Sequence, residues 1–340
     1  MRLSAIGDVT HVVPVINAIR NHLPRAEITW IIGKLEARLL KDLPAVEFIV
    51  FDKKAGWPAV RQLKRDLKGR KFDALLHMQV AARANLLSKL VRAPLRIGWD
   101  RPRWRDRHQW FINRSVRSVL HQHQVDAFLE FARALGAPIG PPVWNLPVSA
   151  QDTAWAEQVL ENDTKPVLMI SPCSSHPLRN WQATRYAKVA DYAITELNMH
   201  VVLTGGPSAL EVTTGQQIEA AMQHRPQNLI GKDTINQSIA LLKQAALVIS
   251  PDSGPAHLAS AVGTPVIGLY AATPSQRSGP YNSLELCVDK YVEAARKFRQ
   301  TEPDKLRWGQ RIEFPGVMDL IETADVIEKL DQFMLAERQE

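Results

Sequence analysis

Three short segments carry residue types suited to a phosphorylated ligand. Ser4-Ala-Ile-Gly-Asp8 puts small residues and a carboxylate just before an amphipathic helix that reads as starting near Val9. Glycine lets backbone approach a ligand closely, and a helix N-terminus favours negative charge. Asp8 has two readings, a helix cap or a carboxylate on a strand-end loop that opens into a cleft. Ser250-Pro-Asp-Ser-Gly-Pro-Ala-His257 follows an apolar run and precedes a second helix pattern. Ser253 and Gly254 can offer backbone N–H groups to a phosphate there, and Pro255 suits a first helical turn. His257 either turns back towards such a ligand or faces the core. Ser171-Pro-Cys-Ser-Ser-His-Pro-Leu-Arg-Asn-Trp181 supplies the hydroxyls of Ser174 and Ser175 and the permanent charge of Arg179. An arginine can grip a phosphate bidentately, or can be an ordinary exposed side chain. Cys173 has no adjacent base and reads as a small buried residue.

These segments need elements to hold them. In the first half, Ile28–Ile32, Glu47–Phe51, Ala74–His77 and Arg96–Gly98 read as strands. Helix patterns lie between and after them at His11–His22, Leu35–Leu43, Ala59–Leu67, Ala84–Leu90 and Gln124–Leu135. In the second half, Val167–Ser171, His200–Thr204, Leu229–Ile230, Leu247–Ser250 and Pro265–Leu269 read as strands. They alternate with helices at Ala183–Leu197, Ala209–His224, Ile235–Gln244 and Ala256–Val262. Such alternation predicts an α/β chain with two doubly wound parallel sheets, which bind ligands at the carboxyl ends of their strands. The Pro- and Gly-rich stretch Gly136–Pro147 is the linker candidate. The expected division is 1–147, 148–316, and a closing helix in 317–340. Met1–Leu3 leaves almost no room for an opening strand, so that strand is expected to be vestigial or to start upstream of Met1.

The chain has 340 residues, 45% of them hydrophobic and 23% charged, which excludes a disordered or fibrous protein. No apolar run approaches the roughly 20 residues of a membrane span. Two cysteines cannot build a disulfide framework or a four-thiolate zinc site. There is no GxGxxG after a strand, no GxxxxGK[ST] loop and no Asp-x-Asp pair, so dinucleotide, P-loop and metal-dependent chemistries lack their ligands. Neither a metal nor a cofactor is expected.

Charge is strongly uneven. Residues 1–150 hold 25 Lys and Arg against 12 Asp and Glu; the remainder hold 17 against 23. An anionic partner for the first half follows: a phosphorylated substrate, a membrane surface or nucleic acid. Arg101, Arg103, Arg105 and Arg107 with Trp99, Trp104 and Trp110 are the residues that would form a nucleic-acid surface, but no nucleic-acid fold motif accompanies them.

Taken in order, Arg2–Val9, Ser171–Trp181, Leu203-Thr-Gly-Gly-Pro207, Ser250–Ala259, Gly263–Tyr270 and Gly279-Pro-Tyr281 resemble glycosyltransferase family 9, the ADP-heptose:lipopolysaccharide heptosyltransferases. Cys173-Ser-Ser175, Asp52-Lys-Lys54 with Gly56-Trp57, and Gly268-Leu-Tyr-Ala271 look closest to the branch that adds the first heptose to a phosphorylated inner-core Kdo. The resemblance implies a GT-B fold, two Rossmann-like domains facing across a cleft, with acceptor on the first and nucleotide sugar on the second. It also implies an inverting displacement with closure of the two domains. Asp8 then matches the catalytic base, and Arg179 falls where several relatives carry lysine. Ser174 and Ser175 match hydroxyls that contact phosphate. Asp252, Ser253, Gly254 and His257 match the donor loop, Glu211 the ribose carboxylate, and Lys232 and Asp233 the adenine-lining segment. A different nucleotide sugar in cell-surface polysaccharide synthesis is the alternative within the same fold.

The implied partners are ADP-heptose, a Kdo-lipid A acceptor and the inner leaflet of the membrane, reached from the cytoplasm by peripheral attachment. Candidate acceptor contacts are Arg61, Lys64 and Arg65, spaced to share one helix face, with Arg83, Arg101 and Arg105. Trp57, Trp99 and Trp104 are expected at the lipid headgroup level.

Overall fold

The computed structural model describes residues 1–160 and 165–337. Its contacts divide it into two compact units, Met1–Pro147 and Val148–Glu340.

The first unit runs α1 (Ile6–His22), β1 (Ile28–Gly33), α2 (Lys34–Leu39), β2 (Val46–Phe51), α3 (Trp57–Asp66), β3 (Ala74–His77), α4 (Ala82–Ser88), β4 (Leu95–Gly98), β5 (Arg114–Ser115) and α5 (Gln124–Ala134). β1 pairs in parallel with β2, and β3, β4 and β5 form a second parallel set. Met1–Leu3 joins the two sets. Gly33 N–H donates to the Leu3 carbonyl at 2.9 Å, and Met78 N–H to the Met1 carbonyl at 3.1 Å. Met1 and Leu3 are buried in the core with Ile31, Ile49 and Leu75. No regular strand forms there, in line with a vestigial one, yet its backbone pairs on both sides and both apolar side chains are covered. α1 also starts three residues earlier than the sequence suggested. Asp8 therefore lies in its first turn, accepting the Ala5 N–H at 3.2 Å.

The second unit runs α6 (Ala150–Val159), β6 (Val167–Ile170), α7 (Ala183–Thr195), β7 (His200–Leu203), α8 (Ala209–Ala221), β8 (Gln227–Asn228), α9 (Ile235–Gln244), β9 (Leu247–Pro251), α10 (Gly254–Ala261), β10 (Val266–Tyr270), α11 (Ser275–Ser278), β11 (Val288–Asp289), α12 (Tyr291–Arg299) and α13 (Thr323–Glu337). Its six strands are parallel in the order β11-β10-β9-β6-β7-β8. Strand interiors are apolar on both faces, as helices on both sides require: Leu168, Ile170, Leu247 and Ile249 on one face and Met169, Val202 and Val248 on the other are essentially inaccessible. Each such side chain contributes about 1.5–3 kcal/mol of burial. The strand expected at Leu229–Ile230 is shifted. The ladder runs through Gln227 and Asn228, because β7 pairs there while the apolar pair turns into the core.

The chain passes from β6 to β7 on one side and returns at β9 on the other, with Leu168 opposite Leu247. The loops after β6 and β9 thus flank a topological switch point, where open parallel sheets leave a crevice for ligands.

Candidate active site

Both loops at that switch point fold tightly. After β6, Asn180 Oδ1 accepts the Ser174 N–H at 2.7 Å, and the Ser174 hydroxyl bridges the backbone of His176, donating at 3.0 Å and accepting at 3.2 Å. Ser174 is therefore committed to holding its loop, whereas Ser175 is exposed. After β9, the Ser250 hydroxyl reaches the Ser171 carbonyl at 3.0 Å and pairs with the Ser253 hydroxyl at 2.7 Å, stitching the loops together. Ser253 caps α10 by accepting from Ala256 N–H, and Gly254 opens the helix.

Arg179 connects the two loops. Its side chain is only 10% exposed, yet each contact is long: 3.5 Å to Asp252 Oδ2, 3.4 Å to Ser175 Oγ and 3.3 Å to Glu313 Oε1. A guanidinium has five N–H donors, so this buried cation retains donor capacity for a bidentate anion. His257 Nε2 lies 3.7 Å from Asp252 Oδ1. Burial pushes the Asp252 carboxyl up, but the His257 hydrogen bond and charge, the Arg179 guanidinium and the Thr273 hydroxyl outweigh it, and the carboxyl is held below its ordinary value. Glu313 and Thr273 have no counterpart in the sequence reading. Thr273 ends the run after β10, and Glu313 lies in an irregular segment with no periodicity.

Further along the same strand ends, Glu211 accepts the Gly206 N–H at 2.8 Å and the Ser208 hydroxyl at 2.6 Å, one on each carboxylate oxygen. Gly231 N–H donates to the Gly205 carbonyl at 2.9 Å, which brings the Gly231–Thr234 turn beside Glu211's loop. Lys232 is exposed and donates to the Asn228 carbonyl at 2.6 Å. Asp233 accepts the Ser238 hydroxyl, and burial raises its carboxyl. Cys173 is buried and its thiol is raised by that burial, which disfavours a nucleophilic role.

In the first unit, Asp8 pairs with Arg2 and accepts from Gln124 Nε2 at 3.1 Å, with 27% of its side chain exposed. Arg61, Lys64 and Arg65 are exposed along α3 opposite the buried Ala59 and Leu63. They flank the sheet. Arg83, in the first turn of α4, and Arg101 and Arg105, in the segment after β4, instead follow the carboxyl ends of β3 and β4, the same edge as the turn bearing Asp8. Asp106 ties those loops by accepting the Ala82 N–H at 2.8 Å. Trp99 corrects an expectation: it is 5% exposed, packed edge-on to Phe128 and Phe131, and belongs to the core. Trp104 is half-buried and donates to the Trp99 carbonyl at 2.6 Å. Trp57 and Trp110 are the exposed tryptophans of this unit, at 77% and 66%.

The sequence also gave no hint of a buried polar cluster beneath those loops. Asn85 Oδ1 lies 2.8 Å from His77 Nε2 and 2.9 Å from His108 Nδ1. His108 Nε2 accepts the Trp99 N–H at 3.1 Å, so its proton sits on Nδ1 and is donated to Asn85. Burial lowers His77 to about 3 and His108 to about 4. Both rings are neutral at physiological pH.

The model of glycosyltransferase family 9 (heptosyltransferase) matches residues 60–306. The chain belongs to glycosyltransferase family 9. It is 39% identical to a protein of Haemophilus influenzae named lipopolysaccharide core heptosyltransferase OpsX, over 98% of this chain and 96% of that one. Solved structures share the fold: a family 9 glycosyltransferase of Veillonella parvula (22% identity, TM-score 0.81, covering 98% of this chain and 96% of the other). The E. coli ADP-heptose lipopolysaccharide heptosyltransferase II superposes at TM-score 0.73 and 19% identity, over 99% and 98% of the two chains. This family 9 enzyme is therefore a glycosyltransferase with the GT-B fold, built from parallel α/β units. Among the described residues no helix is long and apolar enough to cross a membrane.

Proposed function

We propose that this glycosyltransferase moves L-glycero-D-manno-heptose from ADP-heptose to the inner-core Kdo of lipopolysaccharide, with inversion at the anomeric carbon. The observation that carries the reading is Arg179: a buried cation, loosely held, at the switch point beside the N-terminus of α10. That is a seat for a diphosphate. The name of the H. influenzae relative supports the lipopolysaccharide core as acceptor, and that of the E. coli structure supports ADP-heptose as donor.

In this mechanism a Kdo hydroxyl attacks the anomeric carbon as ADP leaves. Asp8 takes the hydroxyl proton as charge develops, its orientation set by Arg2, Gln124 and the Ala5 N–H. Three donors on a carboxylate with about four lone-pair sites leave room for the substrate hydroxyl. Arg179, the Gly254 amide and the α10 dipole meet the growing charge on the diphosphate. Ser175 reaches the same phosphates, while Ser174 acts through the shape of its loop. Glu211 keeps a lone pair on each oxygen for ribose hydroxyls, and Lys232 with Asp233 borders the adenine. Arg83, Arg101 and Arg105 face a phosphorylated Kdo, and Arg61, Lys64 and Arg65 with Trp57 face anionic headgroups. Basic side chains near such a surface contribute about 1 kcal/mol each, enough for peripheral attachment on the cytoplasmic side.

Mass spectrometry of lipopolysaccharide from a strain lacking this protein tests the reading. A core that ends at Kdo, restored by the plasmid-borne gene, is the expected result. A core still carrying its first heptose overturns it.

A further inference from the structure

We infer that Glu313 is the positioning residue that sets the edge of the Arg179 guanidinium, and so its register on the donor diphosphate. The inference rests on the ADP-sugar reading of the site.

Arg179 has two faces to satisfy. NH1 and NH2 point to Asp252 and Ser175, on the loops at the switch point. The third nitrogen, Nε, lies 3.3 Å from Glu313 Oε1. Both of these atoms are buried and neither makes an aligned hydrogen bond, so their contact is an ion pair alone. A buried carboxylate oxygen beside a buried guanidinium N–H is a pair held by charge, and neither can turn to solvent for a substitute.

The backbone keeps Glu313 in place. Ile312, fully buried, donates its N–H to the Ala272 carbonyl at 2.8 Å, pinning this segment to the loop after β10. Ala272 precedes Thr273, whose hydroxyl helps hold the Asp252 carboxyl down, so one loop serves both carboxylates that face Arg179. Glu313 is also approached by His176 Nε2 at 3.8 Å and by Arg311 at 3.9 Å. With two cations and a histidine around it, its charge is not spent on Arg179 alone, which makes it a fixed post rather than a competitor for the diphosphate.

The consequence is specific to arginine. With Nε held by Glu313, the NH1–NH2 edge is left for the diphosphate, as a bidentate grip requires. A lysine ammonium has no second edge to orient, so Glu313 has nothing to set when residue 179 is lysine.

A double-mutant cycle over Glu313→Gln and Arg179→Lys in the full-length enzyme tests this, with ADP binding and donor kinetics measured for each variant. In the Arg179 background Glu313→Gln should lower kcat about 10- to 100-fold, the scale of a misplaced catalytic group, and shift the ADP Kd by no more than about threefold. In the Arg179→Lys background the same substitution should change kcat by less than about twofold. Glu313→Asp should recover part of the lost kcat. Equal losses in both backgrounds, ADP affinity falling in step with kcat, or an unchanged kcat would each overturn the inference. If wild-type enzyme fails to bind ADP, the donor reading fails instead, which separates the two.

Discussion

Two buried polar clusters lie past the strand ends of this glycosyltransferase, one in each unit, and they are built on opposite plans. The His77–Asn85–His108 cluster is neutral, with contacts of 2.8–3.1 Å that engage Asn85, both nitrogens of His108 and Nε2 of His77, leaving His77 Nδ1 buried without a partner. The Arg179–Asp252–His257–Glu313 cluster is ionic, with contacts of 3.3–3.7 Å and donors to spare. Short bonds between neutral groups hold a fold together; long contacts around a buried cation are what the proposed diphosphate seat requires. Burial alone does not separate the two roles, since both clusters are buried. In the proposed mechanism Asp8 also serves the substrate, since its carboxylate is ordered by neighbours yet keeps an exposed edge.

That contrast can be broken at Asp8 first. Asp8→Asn should cost about 10²–10⁴ in kcat, the usual worth of a general base, while ADP affinity stays near wild type. Near wild-type turnover in a steady-state assay would remove Asp8 from the chemistry.

Next in size is the neutral cluster. Asn85→Ala strands the His77 and His108 N–H donors, and the Val80 and Asp106 carbonyls lose their amide donor. Unfolding by urea should show a loss on the order of 3 kcal/mol, with ADP affinity retained by the folded fraction. A stability unchanged by this substitution would deny the cluster its holding role.

The same histidines set a pH window. Their folded values, about 3 and about 4, lie below the unfolded value of about 6.5, so between these limits the unfolded chain binds more protons. Stability from this pair is complete above roughly pH 6.5 and drains away as pH falls towards 4. Denaturation midpoints should drop between pH 7 and pH 5, and His77→Gln should make that drop shallower. A midpoint flat over this range would mean that the rings are not held neutral.

The smallest effect belongs to the exposed flank. Replacing Arg61, Lys64 and Arg65 together by Ala should raise the acceptor KM several-fold and leave the donor KM unchanged, and added salt should penalise wild type more than the variant. A rise in donor KM would place the acceptor on another surface.

Much of this arrangement was readable from residue order, and the exceptions have physical causes. Helix α9 is bounded as its periodicity suggests, since Thr234 caps it and Gln237 returns the bond. Helix α12 escaped notice because its buried face is built largely of Ala294 and Ala295, too small to stand out as an apolar stripe. Met1–Leu3 is too short for alternation to register, though its hydrogen bonds complete the first sheet. Arg179 and Asp252 stand in loops directly after apolar strands, which is a local signal. Glu313 stands 61 residues beyond Asp252 in a segment without pattern, and the Ile312–Ala272 hydrogen bond brings it to the site. Trp99 reads as an interfacial ring from its arginine neighbours, and residue order does not reveal that Phe128 and Phe131 of α5 pack against it.

The central claim is that Arg179 and its surroundings receive a diphosphate. Calorimetric titration of ADP and AMP into wild type and Arg179→Ala tests it most directly. The account predicts that wild type binds ADP at least about tenfold more tightly than AMP, and that Arg179→Ala abolishes this difference, because a charge-assisted bidentate contact contributes on the order of 1.5–3 kcal/mol. An Arg179→Ala protein that still prefers ADP over AMP as strongly as wild type would contradict it.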